Sequence, residues 1–314
     1  MSVLHILVGL SASGKSTWCK RELNSICGAV VFSSDAIRKE LFGSEEEQGN
    51  PSEVFNLMFK RTCAALREKT FFNVYYDATN LSRKRRMSLI KEIRKNVDDV
   101  IIMAHVFATP FEICCERNNA RPRHVPDDAM ARMYRSFQIP SVEEGFDSVL
   151  IERTCDAPFG VLEEKISSYC HFDQNNPYHS LTVGEHCLAA EHYIKRNWHD
   201  MVRDIGYYLS HCVCVAALYH DIAKPYCATK VKRNGQIDDF THYYCHENCG
   251  AYDFLSYADQ RQLSQAQILT ISLLINLHMV HYGDKVFQNR MKELYGEKFW
   301  KALEWLWKAD KSAH

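Results

Sequence analysis

Short apolar runs recur through the first half of the chain, at His5–Val8, Ala29–Phe32, Asn73–Tyr76, Val100–Phe107 and Val149–Ile151. Between them lie stretches with helical spacing, at Lys15–Asn24, Glu53–Lys69, Ser82–Lys95 and Pro110–Asn119. Strands alternating with helices predict a parallel sheet with helices on both faces. In the second half the pattern becomes helical, at Thr182–Arg196, His211–Ala223, His246–Tyr257, Ser264–His278 and Lys298–Asp310. In the fourth of these, apolar residues cover most of the circumference, with Ser272 and Asn276 as polar exceptions. That distribution predicts a central buried helix. Pro158-Phe159-Gly160 and Asn175-Asn176-Pro177 interrupt the chain between the two patterns. The expected organisation is an α/β domain over 1–155, a linker over 156–169 and an all-α domain over 170–314.

The first strand runs into Gly9-Leu10-Ser11-Ala12-Ser13-Gly14-Lys15-Ser16, the P-loop spacing, and the first helix follows. In that setting backbone N–H groups and the helix N-terminus cradle nucleotide phosphates. Gly9, Ser11, Ser13, Gly14, Lys15, Ser16 and Thr17 are therefore the candidate ATP-binding residues. Lys15 would neutralise the β/γ oxygens and Ser16 would ligate Mg²⁺. The second strand ends in Ser33-Ser34-Asp35, with Arg38 three residues on and so on one helical face with Asp35. An Asp that takes a hydroxyl proton beside an Arg that holds a phosphate suits a kinase acceptor site. The plainer alternative makes Ser34 or Asp35 a simple helix cap. Arg117, Arg121 and Arg123 fall within seven residues broken by Pro122, as in a lid over a triphosphate; a solvated arginine loop is the alternative.

Composition narrows the class. The 314 residues suffice for two cores, and no apolar run approaches the ~20 residues of a membrane helix. The start lacks the basic segment of a signal peptide. An intracellular, cytoplasmic protein without membrane contact is expected, its 13 scattered cysteines reduced. A net charge of −1 excludes a globally basic nucleic-acid coat, yet Arg83–Lys95 holds seven basic residues against Glu92 alone. That segment is either a polyanion site or a solvated helix face. Of 15 histidines, residues 1–150 contain three and the remaining 164 twelve. The shift fits a change from phosphate binding by backbone and Lys/Arg to chemistry on a metal.

The P-loop with Thr17-Trp18, Ser34-Asp35 with Arg38, Asp77-Ala78-Thr79-Asn80, Arg117-Asn118 with Arg121, Val125-Pro126 and Glu144-Gly145-Phe146-Asp147 together resemble the phage-type polynucleotide 5′-kinase domain. The resemblance covers about residues 1–150. It implies Lys15 and Ser16 at ATP and Mg²⁺, Asp35 as general base, Arg38 on the acceptor's 3′-phosphate and Arg121 as a lid arginine. Arg117 and Arg123 are further lid candidates, and Asp77 has either a structural or a functional place. The haloacid-dehalogenase phosphatase that follows such a kinase in the phage enzyme needs Asp-x-Asp, which does not occur in this chain.

Asn176–His186, Ala217-Leu218-Tyr219-His220-Asp221-Ile222-Ala223-Lys224-Pro225 and the distant Asp310 instead resemble HD-domain phosphohydrolases, over about 170–314. The resemblance implies His186, His220, Asp221 and Asp310 as metal ligands, with His246 and His278 as additional ligands of a two-metal site. Imidazoles and carboxylates suit one or two ions of Mn, Ni, Co, Fe or Zn. His220-Asp221 would serve one metal or join two. His179, Thr182 and Lys224 are second-rank contacts for a substrate phosphate. His192, His199, His242 and His281 are expected to be structural or superficial. A zinc knuckle from Cys245, Cys249 and His242 or His246 is an incomplete rival.

The combined expectation is a nucleic-acid end-healing enzyme acting on RNA or DNA ends. One domain would phosphorylate a 5′-hydroxyl; the other would hydrolyse a 2′,3′-cyclic, 2′- or 3′-phosphate, leaving termini for a nucleic-acid ligase. Two alternatives stay open: a nucleoside or small-metabolite kinase joined to an HD nucleotidase, or an HD module that binds without hydrolysis.

Overall fold

The computed structural model describes residues 2–45, 47, 49–68, 71–122, 124–176 and 180–313. The chain forms two compact units, Met1–Met133 with Pro140–Asp156, and Tyr134–Ile139 with Ala157–His314.

The first unit runs β1 (Ser2–Val8), α1 (Lys15–Ser25), β2 (Ala29–Ser33), α2 (Ser34–Phe42), α3 (Pro51–Glu68), β3 (Asn73–Asp77), α4 (Arg83–Asn96), β4 (Val100–Phe107), α5 (Phe111–Asn119), α6 (Asp127–Arg135) and β5 (Ser148–Glu152). All strands are parallel, in the order β2-β3-β1-β4-β5. Leu4, Ile6, Leu7 and Val8 of β1 have no exposed surface, and Val74, Tyr75 and Tyr76 of β3 are as deeply placed. Consecutive buried residues put side chains on both sheet faces out of water, so helices cover both. Since β1 is the central strand, Gly9–Ser16 leaves the middle of the sheet at its carboxyl edge, where α/β sheets bind ligands. Helix α2 begins where the spacing of Asp35 and Arg38 placed a helix start, whereas α6 was not anticipated from the sequence.

The basic Arg83–Lys95 segment divides into buried and exposed residues. Arg86 is fully buried and grips Glu144 bidentately, Nε to Oε2 at 2.7 Å and Nη2 to Oε1 at 2.6 Å. Its Nη1 donates to the Asn80 and Leu81 carbonyls, both at 2.9 Å. Arg83 is buried 3.8 Å from Glu144, and Arg94 donates to Gly145 O and Asp147. These three arginines anchor α4, and Lys84, Arg85, Lys91 and Lys95 remain exposed beside them. The Glu144–Asp147 motif therefore has a structural role. Removing one partner of a buried pair leaves a bare charge, which costs about 3–5 kcal/mol. Glu144→Ala should lower the unfolding free energy of the first unit by that amount. A denaturant midpoint unchanged from wild type would show that Arg86 does not depend on Glu144.

The second unit is mostly helical: α7 (Val161–Tyr169), α8 (Val183–Arg196), α9 (Trp198–Ile205), α10 (Tyr207–Tyr219), α11 (Lys224–Cys227), β6 (Ala228–Val231), β7 (Ile237–Tyr243), α12 (His246–Tyr257), α13 (Gln265–Leu277) and α14 (Lys285–Ser312). Capping boxes start α8 (Thr182 with Glu185) and α13 (Ser264 with Gln267). Helix α13 is buried on nearly every side, as its sequence predicts. Residues 156–169, expected as a linker, carry α7. A Cβ at Gly184 would lie 2.6 Å from Ile166 O, so the glycine lets α8 approach α7 closely. The antiparallel hairpin β6–β7 adds a small sheet to the helices, and α14 is broken at Gly296 (φ 80, ψ 164). No described helix is long and apolar enough to cross a membrane, and every cysteine is a free thiol.

Candidate active sites

In the first unit, local geometry forces the P-loop sequence. Gly14 has φ 98, and a Cβ there would lie 2.7 Å from Thr154 Cγ2; only glycine fits both constraints. The buried Lys15 ammonium donates to Gly9 O at 3.0 Å and Leu10 O at 2.6 Å, turned back on the loop that a triphosphate would fill. Ser16 Oγ donates to Asp77 Oδ2 at 3.0 Å. Burial holds the Lys15 ammonium below its ordinary pKa, opposed mainly by Asp77. Burial raises Asp77, opposed by Lys15 and the Ser16 hydroxyl.

Asp77 is the residue whose place the sequence left open, and it sits at the centre of the site. Its neighbours brace the same loop: Thr79 O accepts from Gly9 N–H at 3.0 Å and Asn80 Nδ2 donates to Leu7 O at 2.7 Å. The motif Asp77-Ala78-Thr79-Asn80 thus holds the P-loop from the adjacent strand. Thr109 and Thr154, which sequence reading missed, both donate to Ser13 O, at 2.9 and 3.0 Å.

Strand register places Ser33 opposite Asp77, which brings Asp35, in the first turn of α2, to the same edge. Asp35 is near enough for its charge to act on both Lys15 and Asp77. Arg38 Nη1 donates to Asp35 Oδ1 at 2.6 Å, so the face anticipated from their spacing is formed. The N-cap of α2 is Ser33, whose side chain makes no capping bond. A cavity of about 290 Å³ beside the P-loop is lined by Ala12, Gly14, Thr17, Trp18, Arg21, Arg117, Arg121, Arg153 and Thr154. Arg117 donates to Thr154 Oγ1 and O at 2.8 and 3.0 Å, which fixes it as part of the wall. Arg121 follows α5 and is exposed; Arg123 lies outside the described residues.

In the second unit, six widely separated side chains converge. His220 and Asp221 stand just past the end of α10, not inside a helix as their periodicity suggests. His186 comes from α8, His246 from the first position of α12, His278 follows α13, and Asp310 lies near the end of α14. The two groups His186, His220, Asp310 and Asp221, His246, His278 each gather their ligand atoms within 4.8 Å. Asp221 divides between them: Oδ2 lies 3.3 Å from His186 Nε2 and 3.4 Å from His220 Nε2, and Oδ1 lies 3.1 and 3.7 Å from the Nε2 atoms of His246 and His278. Asp310 Oδ1 is 3.1 Å from His186 Nε2.

Every imidazole points the same way for the same reason. Nδ1 of His186, His220, His246 and His278 lies 2.6–2.9 Å from the carbonyls of Ala313, Ala217, Tyr243 and Ile275. A carbonyl only accepts, so each Nδ1 carries a proton and each ring turns its Nε2 toward the cluster. His186 and His220 then face each other Nε2 to Nε2 at 3.1 Å, as do His246 and His278. Facing Nε2 atoms at that distance need a proton on one of them or a metal cation within reach of both; against burial, Asp221 and Asp310 raise His220, and Asp221 raises His246. The donor set, its fixed tautomers and its burial fit divalent metal ions. Against burial, Lys224, His220 and His246 hold Asp221 well below the usual carboxylate range, so it is ionised. Burial, with His246 and His220, pushes His278 down to about 3, so it is neutral.

Among the second-rank candidates, Lys224 Nζ donates to Asp221 Oδ2 at 2.7 Å and to Gln174 Oε1 at 2.8 Å. Thr182 is the N-cap of α8, and His179 lies outside the described residues. Neither ligand group contains a cysteine, so the zinc knuckle does not assemble among the described residues.

The first unit is a P-loop kinase-like domain by strand order, loop geometry and polar edge. Comparison with known sequences agrees. Residues 4–140 match the family described as "AAA domain". L-seryl-tRNA(Sec) kinase of Methanococcus maripaludis is 27% identical over 150 residues, 46% of this chain and 56% of that protein. The chain thus spans little more than half of that relative's length. Two solved structures are similar at low overlap. One, "Structure of the Pnkp1/Rnl/Hen1 RNA repair complex", has 23% identity, covers 43% of each chain and gives a TM-score of 0.38. The other, "Crystal Structure of Fungal RNA Kinase", has 15% identity, covers 54% of this chain and 86% of its own, and gives 0.39.

Proposed function

We propose that the chain is a bifunctional nucleic-acid end-healing enzyme, an ATP-dependent 5′-hydroxyl polynucleotide kinase joined to a metal-dependent HD-type phosphohydrolase. The observation that carries the second activity is the division of Asp221 between two pairs of facing imidazoles. His186, His220, Asp310 and one Asp221 oxygen would hold one divalent ion, and His246, His278 and the other oxygen a second. Such ions supply an activated water and polarise a phosphoryl oxygen. Lys224, anchored between Asp221 and Gln174, adds a cation at the edge of the cluster for a phosphate ester.

In the first unit, Lys15 and the P-loop amides hold the β/γ-phosphates of ATP, and Ser16 holds its Mg²⁺ with Asp77 orienting the hydroxyl. Asp35 takes the proton of the acceptor hydroxyl, and Arg38, released from Asp35, holds an acceptor phosphate. The relative named L-seryl-tRNA(Sec) kinase supports an acceptor carried on RNA. It also favours a second reading, a kinase for a hydroxyl that is not a 5′ end.

One substrate tests both activities: an RNA oligonucleotide with a 5′-hydroxyl and a 2′,3′-cyclic phosphate, incubated with ATP, Mg²⁺ and Mn²⁺ or Ni²⁺. Mass analysis should show one phosphate gained at the 5′ end and the cyclic ester opened or removed at the other. Parallel oligonucleotides ending in a 2′- or 3′-phosphate identify the ester preferred. Unchanged 5′ ends, with nucleosides or small hydroxyl compounds phosphorylated instead, would replace the polynucleotide reading.

A further inference from the structure

The hairpin β6–β7 has no part in the donor cluster, yet it ends at it. Tyr243, the last residue of β7, gives its carbonyl to His246 Nδ1 at 2.6 Å and its hydroxyl to Gln174 O. Gln174 in turn holds Lys224. On either side of the turn at Asn234-Gly235 the hairpin carries surface that folding leaves unused. Ile237 is 82% exposed, and Phe240 and Val231 are also exposed. Exposed apolar side chains gathered on one short hairpin call for a ligand.

The chemistry of that ligand follows from the side chains. Phe240 and His242 lie two residues apart on β7, in the stretch where its pairing with β6 is irregular, and Phe240 is exposed. Tyr244 continues the row, its ring stacked on His242 with centroids 5.4 Å apart and planes within 6°. Arg233, from the turn, lies over the Tyr244 ring at 4.9 Å. Lys230 stands on the facing strand β6, and Lys232, just past its end, pairs with Asp238 at 3.0 Å. Flat rings interleaved with cations match a single-stranded polynucleotide: bases stack on the rings and phosphates meet the cations. Direction is set by position. Only Cys245 separates Tyr244 from His246, a reach of at most about 7 Å, so a strand lying on the rings ends at the cluster.

We infer that the hairpin is the docking platform for the 3′-terminal nucleotides of a single strand, and that it makes the second unit prefer polymer ends over mononucleotides. This rests on the hydrolase reading above for its consequence, but not for the binding itself. Two measurements on the full chain with Mn²⁺ test it. The first compares kcat/KM for a single-stranded 12-mer bearing a 3′-phosphate with that for a nucleoside 3′-monophosphate. Tyr244→Ala and Arg233→Ala should each lower the polymer-to-mononucleotide ratio about tenfold, through KM for the polymer. Tyr244→Phe, which keeps the ring, should restore it.

The second measurement irradiates a 12-mer carrying 5-iodouridine next to its 3′ end and maps the cross-link. Adducts within residues 226–244, competed by unlabelled single strand, support the platform. If they form while no phosphoester is hydrolysed, the hydrolase reading falls and the platform stands. Adducts confined to other segments, an unchanged ratio, or equal competition by an acidic polypeptide would overturn it. RNA and DNA 12-mers run side by side show whether the platform distinguishes the sugar.

Discussion

An Asp221→Asn variant is expected to lose bound transition metal and on the order of 10³-fold of its phosphoester hydrolysis, with 5′-kinase activity kept. A partner one shell out from a metal is worth roughly 10- to 100-fold; Asp221 faces all four imidazoles, so its loss should exceed that. The amide keeps the size of the side chain but turns one acceptor oxygen into a donor. That NH₂ would confront either the His186 and His220 pair or the His246 and His278 pair, at distances of 3.1–3.7 Å in the native site. Whichever pair met the NH₂ would lose its Asp221 oxygen, and the two groups would no longer share a ligand. Lys224 would also lose the anion it contacts at 2.7 Å. Metal analysis of the purified protein, with thermal unfolding as a check on folding, reads the effect directly. Native metal content together with native hydrolysis would remove Asp221 from the site and end the two-group interpretation.

How much of this was legible in the sequence follows from the distance over which each feature is encoded. The P-loop is consecutive, so its residues and its place between a strand and a helix could be read directly. The pairing of Asp35 with Arg38 needs only helical spacing, and it is present. The six side chains of the second cluster were nameable because short motifs flank His186 and His220-Asp221. The sharing of Asp221 was left open, since it depends on where four helices end. The Asp77–Ser16 bond spans 61 residues and the Arg86–Glu144 pair 58; no local pattern specifies either. Arg86 illustrates the cost: in a run of basic residues it reads as surface charge, and burial is decided by a carboxylate far along the chain.

Two misses had signals. Asn234-Gly235 is a strong hairpin turn, with Gly235 at φ 86, but its flanking strands are too polar to show alternation. Helix α7 was read as linker because Pro158-Phe159-Gly160 breaks the pattern just before it, although Leu162 and Ile166 have helical spacing and are buried.

In the first unit the largest loss should come from Lys15→Met, on the order of 10³-fold in kcat/KM for phosphorylation of a 5′-hydroxyl. A single preorganised donor to developing negative charge is worth about 10²–10³, and the lysine also balances a buried carboxylate. Asp77 is raised by burial and lowered chiefly by Lys15. Without the ammonium its carboxyl moves further up, so the acceptor of the Ser16 hydroxyl is weakened as well. The reciprocal variant separates these effects. Asp77→Asn keeps the ammonium but removes the charge that opposes its desolvation. Lys15 is already below its ordinary pKa through burial, so in Asp77→Asn it falls further. The cation is then lost at a lower pH, and the alkaline limb of the pH–rate profile should move toward neutrality. Asp77→Asn should also need more Mg²⁺ for half-maximal rate, because Ser16 Oγ no longer has a carboxylate to orient it. An alkaline limb and Mg²⁺ requirement both unchanged in Asp77→Asn would mean that the Ser16–Asp77 bond serves the fold alone.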